Sequence, residues 1–463
     1  MSYSPPDTDV VIAGAGISGL ACALWLQGRG VRVTVLERND APGGAMTSAR
    51  EDGYLVERGP NSALETTPLF AELFAAAGVE PEKVTANAAA SKRYILRGGK
   101  LIPLPMSPPA FLATPLFSLG AKLRLFREPF IARGEGEETV AQFVRRRLGP
   151  EFLDYAINPF VSGVYAGDPE RLSVPAAFPR LAELEQKYGS LIRGQIQGAR
   201  ERKRRAEKSK QSAPMFSFRD GMGSLPRAIA AKLDGVQLGT TVEAVERAEG
   251  GYRVRTRDAS GQLSEAAARA VVLAMPAHVT APLVQPLAPD AADALAGIEY
   301  PPVAVVATAY RPQPGMHPLD GFGFLIPAKE NRRILGTLFS STLFPGRAPE
   351  GRVLLTSFVG GMRQPELARQ SESDLVAMVA AEQRQLLGCP PAPEFSRVTF
   401  WPQAIPQYAP GHLQRMARLN AAEQQLPGLF FCANYRGGIS VGDCVKSAHA
   451  MAERVAGFLG SAR

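Results

Sequence analysis

The sequence predicts an α/β protein (α+β overall): a Rossmann-like dinucleotide-binding domain interrupted by a helical insertion and by a mixed-sheet one. Three observations predict it. Residues 9–37 read as strand, glycine turn, helix, strand and acid. Residues 86–205 break that pattern with a run rich in Pro, Phe, Leu and Arg. Strand periodicity returns over 219–276, and strand, glycine loop and helix follow at 426–459, so the first domain is expected to draw on both ends of the chain and on its middle.

DVVIA (9–13) has the length and apolar character of a buried parallel strand. Gly14-Ala15-Gly16-Ile17-Ser18-Gly19 follows, then a helix over LACALWLQGRG (20–30) closed by glycine, then a strand over VRVTVLE (31–37). The insert is expected to be mainly helical, with SLGAKLRLFREPF (118–130) and ETVAQFVRRRLG (138–149) as its clearest helices. RDGMGSLPRAIAAKL (219–233) reads as turn and helix, VQLGTTVEAVER (236–247) and GYRVRTRD (251–258) as alternating strands, and ARAVVLAMP (268–276) as another buried strand. Residues 299–400 alternate strand-like runs with short helices. The expected boundaries are 1–85, 211–297 and 401–463 for the dinucleotide domain, 86–210 for the helical insert and 298–400 for the sheet domain.

With 463 residues, two or three domains are expected. The net charge of +8 owes much to RERKRRAEKSK at 200–210. That block has no interleaved aromatics, so nucleic-acid binding is not expected and a solvated loop is. The four cysteines, Cys22, Cys389, Cys432 and Cys444, form no C-x-x-C pair, and the four histidines show no metal spacing. A metal site is not expected, and a reducing compartment is. MSYSPPDTD lacks the features of a signal peptide, and no apolar run is long enough to span a membrane. The expected location is cytoplasmic, or peripheral on the reducing side of a membrane.

The glycine turn has a specific job in this context. Gly14 permits the tight turn, Gly16 lets the backbone approach a pyrophosphate, and Gly19 lets helix and strand pack. The helix N-terminus offers N–H groups to the phosphates. Glu37, placed to accept from ribose hydroxyls, argues against a 2′-phosphate, which Arg38 answers only in part. A second pair, Gly43-Gly44, suits an extended ligand running past the first unit, and no second G-x-G-x-x-G serves a nicotinamide. One FAD per chain, reoxidised by something other than NAD(P), is the expected cofactor.

These residues resemble the flavin monoamine oxidase superfamily, and within it the protoporphyrinogen oxidases. The likeness runs almost end to end through ERGPNS (57–62), SKRYILRGGKLIPLP (91–105), NPFVSGVYAGDPERLSVPAAFP (158–179), GFGFLIPAKE (321–330), LGTLFSSTLFP (335–345), TSFVGGMRQPEL (356–367) and LPGLFFCANYRGGISVGDC (426–444). It implies FAD contacts at Gly14, Gly16, Ile17, Ser18, Gly19, Glu37, Arg38, Gly43, Gly44, Gly59, Pro60 and Asn61, and an adenine clamp at Val242. It implies the isoalloxazine end at Trp401 and at Gly438, Ile439, Ser440 and Val441. Substrate contacts are implied at Arg93, for a propionate, at Leu325, Leu338 and Phe358, for the tetrapyrrole rings, and at Gly163 beside the pocket.

The resemblance further implies hydride transfer from a porphyrinogen to a non-covalently held flavin, with molecular oxygen as final acceptor. No side chain stands out as catalytic base. Protoporphyrinogen IX is the substrate favoured; coproporphyrinogen III, with four carboxylates, would call on further cations such as Lys92, Arg97 and Lys100. Amine oxidation and a non-catalytic flavoprotein are the readings from other classes. A ferrochelatase or other tetrapyrrole enzyme is the implied recipient of product. Peripheral membrane contact through PPAFLATPLFSLGAKLRLF (108–126) is expected, and a homodimer stays open.

Overall fold

The structure is a computed structural model describing residues 8–197 and 213–461, so the basic block at 200–210 lies outside the described residues. Val10–Ala13 and Ala270–Leu273 are buried at every position. Val10 and Ile12 pack into one core with Leu20, Cys22, Val445 and Ala448; Val11 and Ala13 pack into another with Ala281, Leu295 and Leu419. A strand covered on both faces has no polar side, which is why these segments read as unbroken apolar runs. They belong to a five-stranded parallel sheet ordered Val236–Gln237, Val33–Leu36, Val10–Ala13, Ala270–Leu273, Leu429–Phe431. Helices Ile17–Gln27 and Val441–Ser461 cover one face; Ala277–Val284, Pro289–Ala296 and His412–Gln425 cover the other. An antiparallel three-stranded sheet, Thr241–Ala248, Gly251–Arg257 and Leu263–Ala268, stands beside it.

The second large sheet has seven strands in the order Phe395–Trp401, Val303–Tyr310, Val353–Gly360, Gly336–Leu338, Gly321–Leu325, Lys92–Arg97, Lys100–Pro103. One pair, Gly321–Leu325 with Lys92–Arg97, is parallel; the rest are antiparallel. One face carries Tyr94, Leu96, Ala304, Val306, Phe324 and Leu355 into a core closed by helix Glu372–Leu387. That helix has 16 residues, longer than the short helices expected in this region.

The hairpin at 92–103 corrects the expectation of a mainly helical run from residue 86. It extends the seven-stranded sheet, and its turn is Gly98-Gly99, with φ of +56° and +75°. Two successive left-handed residues match the twist of a two-residue hairpin, and only glycine adopts them freely. The helices follow, from Pro108–Ala113 to Pro179–Tyr188, around Phe117, Phe143, Val144, Phe152 and Tyr165. Arg147 and Glu128, both fully buried, pair at 3.1 Å inside this layer, and Arg147 also donates to the carbonyls of Ile131 and Gly189. Glu128 is satisfied in turn by Ser190 and by the N–H groups of Leu191 and Ile192. A buried pair is tolerated only when its remaining donors and acceptors are met in this way.

Candidate active site

The glycine turn divides into two kinds of position. A Cβ on Gly19 would fall 2.1 Å from the Gly14 carbonyl oxygen, and one on Gly14, whose φ is +106°, would sit 3.0 Å from the Ala274 oxygen. The turn itself requires both. At Gly16 a Cβ would meet nothing within 4 Å. Gly16 is the N-cap of helix Ile17–Gln27 and offers no side-chain cap, so the first-turn N–H groups and the helix dipole face open space. Backbone donors around a volume that a side chain would fill are a fit for a pyrophosphate. Ile17 and Ser18 are buried in the first turn.

Glu37 is buried at the end of the next strand. Its carboxylate accepts from Ala15 N–H at 2.9 Å, from Asn39 N–H at 3.0 Å and from the Asn39 side-chain amide at 2.6 Å. Those bonds lock the strand end to the glycine turn, and an ionised carboxylate keeps acceptor capacity for ribose hydroxyls. Arg38 is exposed beside it. Gly43 N–H donates to the Ala15 carbonyl at 2.8 Å, and a Cβ on Gly44 would lie 3.5 Å from the Gly16 Cα. The second glycine pair therefore lies directly against the first turn. Gly59 folds onto Ala45, where a Cβ would come within 1.9 Å of its carbonyl oxygen. Pro60 and Asn61 follow, the Asn61 amide donating to the Gly59 carbonyl at 3.2 Å. Val242 sits at a β-bulge.

Two segments meet this region from farther along the chain. The Trp401 indole N–H donates to the Arg58 carbonyl at 2.7 Å, tying the seven-stranded sheet to the loop that carries Gly59. The turn of Gly438, Ile439, Ser440 and Val441 opens helix Val441–Ser461. Gly438 has φ of +120°, and a Cβ there would strike Asp443 at 2.7 Å. Ser440 Oγ accepts from Asp443 N–H at 3.1 Å and caps the helix. Ile439 packs against the helical layer, as Leu325 does.

Strand register collects the residues expected to meet substrate. Arg93 lies beside Gly323, and Leu325 beside Ile95 and opposite Gly336. Leu338 pairs with Gly323 and Thr356, Phe358 with Gly336 and Val305, and Trp401 with Val303. Directly paired residues point the same way, so Arg93, Leu325, Leu338, Phe358 and Trp401 share one face of the sheet. It is the face opposite the Glu372–Leu387 core, and its four large apolar side chains remain only half-buried. Gly163, inside helix Asn158–Tyr165, approaches that face so closely that a Cβ would lie 2.5 Å from Leu325 Cδ2. Arg363 holds the two walls together. It donates to the Ile326 carbonyl at 2.9 Å, to Asn158 at 3.1 Å and to Ser162 at 3.0 Å, and burial lowers its pKa to about 10.

Arg93 is exposed, stands 5.3 Å over the Phe322 ring, and has no ion-pair partner among the described residues. Of the further cations expected near it, two are already engaged and Lys100, among the described residues, is not. Lys92 points to the opposite face and pairs with Asp320, which also accepts from Tyr94 at 2.6 Å. Burial, then that hydrogen bond, pushes the Tyr94 pKa up to about 12. Arg97 shares the Arg93 face but is held by Glu151 at 2.6 Å and lies 4.3 Å over Tyr155. Lys100 is exposed.

Among the described residues no His/Cys/Asp/Glu group could hold a metal. All four cysteines are buried and free, and burial pushes Cys432 up to about 12 and Cys444 up to about 11, leaving protonated thiols. Nothing local in the sequence marks Arg363 or Asn158, whose contacts join remote parts of the chain.

The family profile for flavin containing amine oxidoreductase matches residues 17–456. The chain is 38% identical over 476 aligned residues to a chloroplastic protoporphyrinogen oxidase of Nicotiana tabacum, covering 98% of this chain and 86% of that one. It is 30% identical to the coproporphyrinogen III oxidase of Staphylococcus aureus, covering 96% and 98%. A crystal structure from Exiguobacterium sp. 255-15 with a provisional protoporphyrinogen oxidase assignment superposes with a TM-score of 0.80 at 26% identity, covering 98% and 99%. Cyclohexylamine oxidase from Brevibacterium oxydans shares the fold alone, with a TM-score of 0.71 at 19% identity, covering 98% and 100%.

Proposed function

We propose that this chain, which belongs to the flavin-containing amine oxidoreductase family, binds one FAD non-covalently and oxidises a porphyrinogen, protoporphyrinogen IX ahead of coproporphyrinogen III, with oxygen as final acceptor and peroxide as its product. One observation carries the reading: a single sheet face that begins at the Arg93 guanidinium, without an ion pair among the described residues, runs through half-buried Leu325, Leu338 and Phe358, and ends at Trp401 beside the loop carrying Gly59. A flat apolar ligand with a carboxylate at one edge matches it. Lys92 and Arg97, each already paired, leave Arg93 and Lys100 as the cations of that hairpin with room for an anion, which favours the substrate with fewer carboxylates. The coproporphyrinogen III reading rests on the bacterial relatives.

Bound FAD would supply the hydride acceptor. The protein's own share is position and surroundings. Arg93 would take a propionate through its planar fork, fixing the ring edge. Leu325 and Phe358 would hold the ring plane and exclude water, so that one carbon faces the Gly438–Val441 turn. The open space at Gly16 would receive the pyrophosphate, Glu37 the ribose, Gly59 to Asn61 the middle of the cofactor and Val242 the adenine. Protonated, buried Cys432 and Cys444 offer no thiolate for a covalent flavin link.

Peripheral membrane contact belongs to the same proposal. Leu112, Leu119, Leu123, Phe126 and Phe130 of the helical layer are 56% to 82% exposed, with exposed Arg127 among them. Apolar side chains beside a cation suit an anionic bilayer surface. Sedimentation with anionic vesicles at low salt tests it, and protein left in the supernatant removes it.

The functional test is porphyrin fluorescence growing in air, with the two porphyrinogens side by side. Faster turnover of protoporphyrinogen IX is expected. Preference for coproporphyrinogen III would reassign the substrate, and turnover of neither would overturn the proposal.

A further inference from the structure

We propose that Tyr408 is a positioning residue for the reacting end of the site, holding the Gly438–Val441 turn in register through its hydroxyl; the inference rests on the flavin reading given above. Tyr408 lies in the link between strand Phe395–Trp401 and helix His412–Gln425, and is 3% exposed. Its hydroxyl donates to the Asn434 carbonyl at 2.6 Å and accepts from Gly438 N–H at 3.0 Å. One phenol thus uses its donor and an acceptor to close the segment 434–438 onto itself. Gly438 is the point where the chain leaves that segment with φ of +120° to start the turn and its helix.

The ring is as firmly held as the hydroxyl. It stacks on His412 at 4.1 Å with 13° between planes. His412, itself buried, meets the Tyr435 carbonyl through Nε2 at 3.0 Å, while Nδ1 has no hydrogen-bond partner among the described residues. A neutral imidazole with its proton on Nε2 satisfies that geometry, so the stack under Tyr408 is uncharged. On its other side Tyr408 reaches the helical layer, its carbonyl accepting from Ser173 N–H at 2.8 Å and its ring lying 6.3 Å from Tyr165. From the outside, Arg436 is pinned to Glu423 at 2.6 Å. The segment before the turn is therefore fixed from within by Tyr408 and from without by Arg436, and Tyr408 is the member that also contacts the wall expected to hold substrate.

The consequence is specific. Buried donors and acceptors left unpaired shift to find partners, and small displacements at a reacting centre cost rate more than binding. Tyr408→Phe keeps the stacked ring and removes the hydroxyl alone. Three readouts test it on the purified flavoprotein: flavin midpoint potential, the split between kcat and KM, and amide exchange over 434–441 in protein stripped of flavin. The expected result is a fall in kcat of about tenfold with KM nearly unchanged, a more negative potential as backbone donors drift from the flavin, and faster exchange of the Gly438 amide. An unchanged potential and kcat would overturn the inference. Should Tyr408→Phe fail to fold, the Gly438 amide of the wild-type holoenzyme carries the test: it is expected to be strongly protected from exchange, and exchange at the rate of an open chain overturns the inference too. Wild-type protein that neither binds flavin nor turns over would instead defeat the flavin reading itself.

Discussion

Arg93 emerges from a strand whose other cations are all engaged, and its guanidinium rests on the face of Phe322. A cation–π contact at an exposed site is worth only about 0.5–1 kcal/mol, so a carboxylate can recruit this side chain at little cost. Arg93→Ala is expected to raise KM about tenfold or more while lowering kcat far less, because a bidentate charge-assisted pair made equally in ground and transition states is lost. An unchanged KM in steady-state kinetics would remove Arg93 from the propionate role. His412 gives a residue-scale prediction about pH. Burial lowers its pKa from the usual 6.5 to about 4. The unfolded chain takes up a proton between those values that the folded chain refuses, so stability is fully present above 6.5 and is lost as the pH falls toward 4. The loss is about 3 kcal/mol. Urea unfolding of wild type and His412→Gln across that window should show curves that converge as the pH drops; parallel curves would contradict it. Neither side chain's surroundings were legible in sequence. The Tyr408 hydroxyl bonds reach 26 and 30 residues along the chain, and no local pattern reports such a contact.

At the scale of elements, the strand–turn–helix at the start of the chain was legible because its cause is local. Gly14 and Gly19 are demanded by the turn, while a Cβ on Gly16 would meet no protein atom within 4 Å, so that glycine serves whatever lies in front of it. The two kinds should therefore behave differently on substitution. Gly16→Ala is expected to leave thermal stability within about 1 kcal/mol of wild type yet weaken FAD binding at least tenfold. Gly19→Ala should lower stability by about 2 kcal/mol or more, whether or not FAD is present, by forcing the helix off the strand. Calorimetry with flavin titration separates them, and full FAD affinity in Gly16→Ala would contradict the assignment of that space. The hairpin at 92–103 is the element the sequence reading passed over. Its signal was present, Gly98-Gly99 between KRYILR and KLIP, but the Pro- and Arg-rich residues that follow belong to the helices and masked the change of period.

For the molecule as a whole, most of the discontinuous parallel sheet could be anticipated, since four of its strands are short, mainly apolar runs bounded by turns; the fifth, Val236–Gln237, was expected to continue as one strand to 247, but the chain breaks at Gly239 and Thr241–Ala248 joins the antiparallel sheet instead. The way the layers meet could not be anticipated. Arg347, from the loop before strand Val353–Gly360, pairs with Glu57 at 3.0 Å, both nearly fully buried, and Arg363 bridges the helical layer to the sheet. These are single polar contacts between remote segments, and no local pattern in the sequence reports them. The register that puts Arg93, Leu325, Leu338, Phe358 and Trp401 on one face is likewise a property of strand pairing, which spans more than 300 residues of chain. Among the described residues no helix is long and apolar enough to cross a membrane. If electrons pass from a porphyrinogen on that face to a flavin held at the Gly438 turn, as proposed, anaerobic mixing of the purified yellow protein with protoporphyrinogen IX shows it. The visible flavin band should bleach as substrate is consumed and return when air is admitted; porphyrin forming while the flavin stays yellow and oxidised, or a flavin that no porphyrinogen reduces, would contradict it.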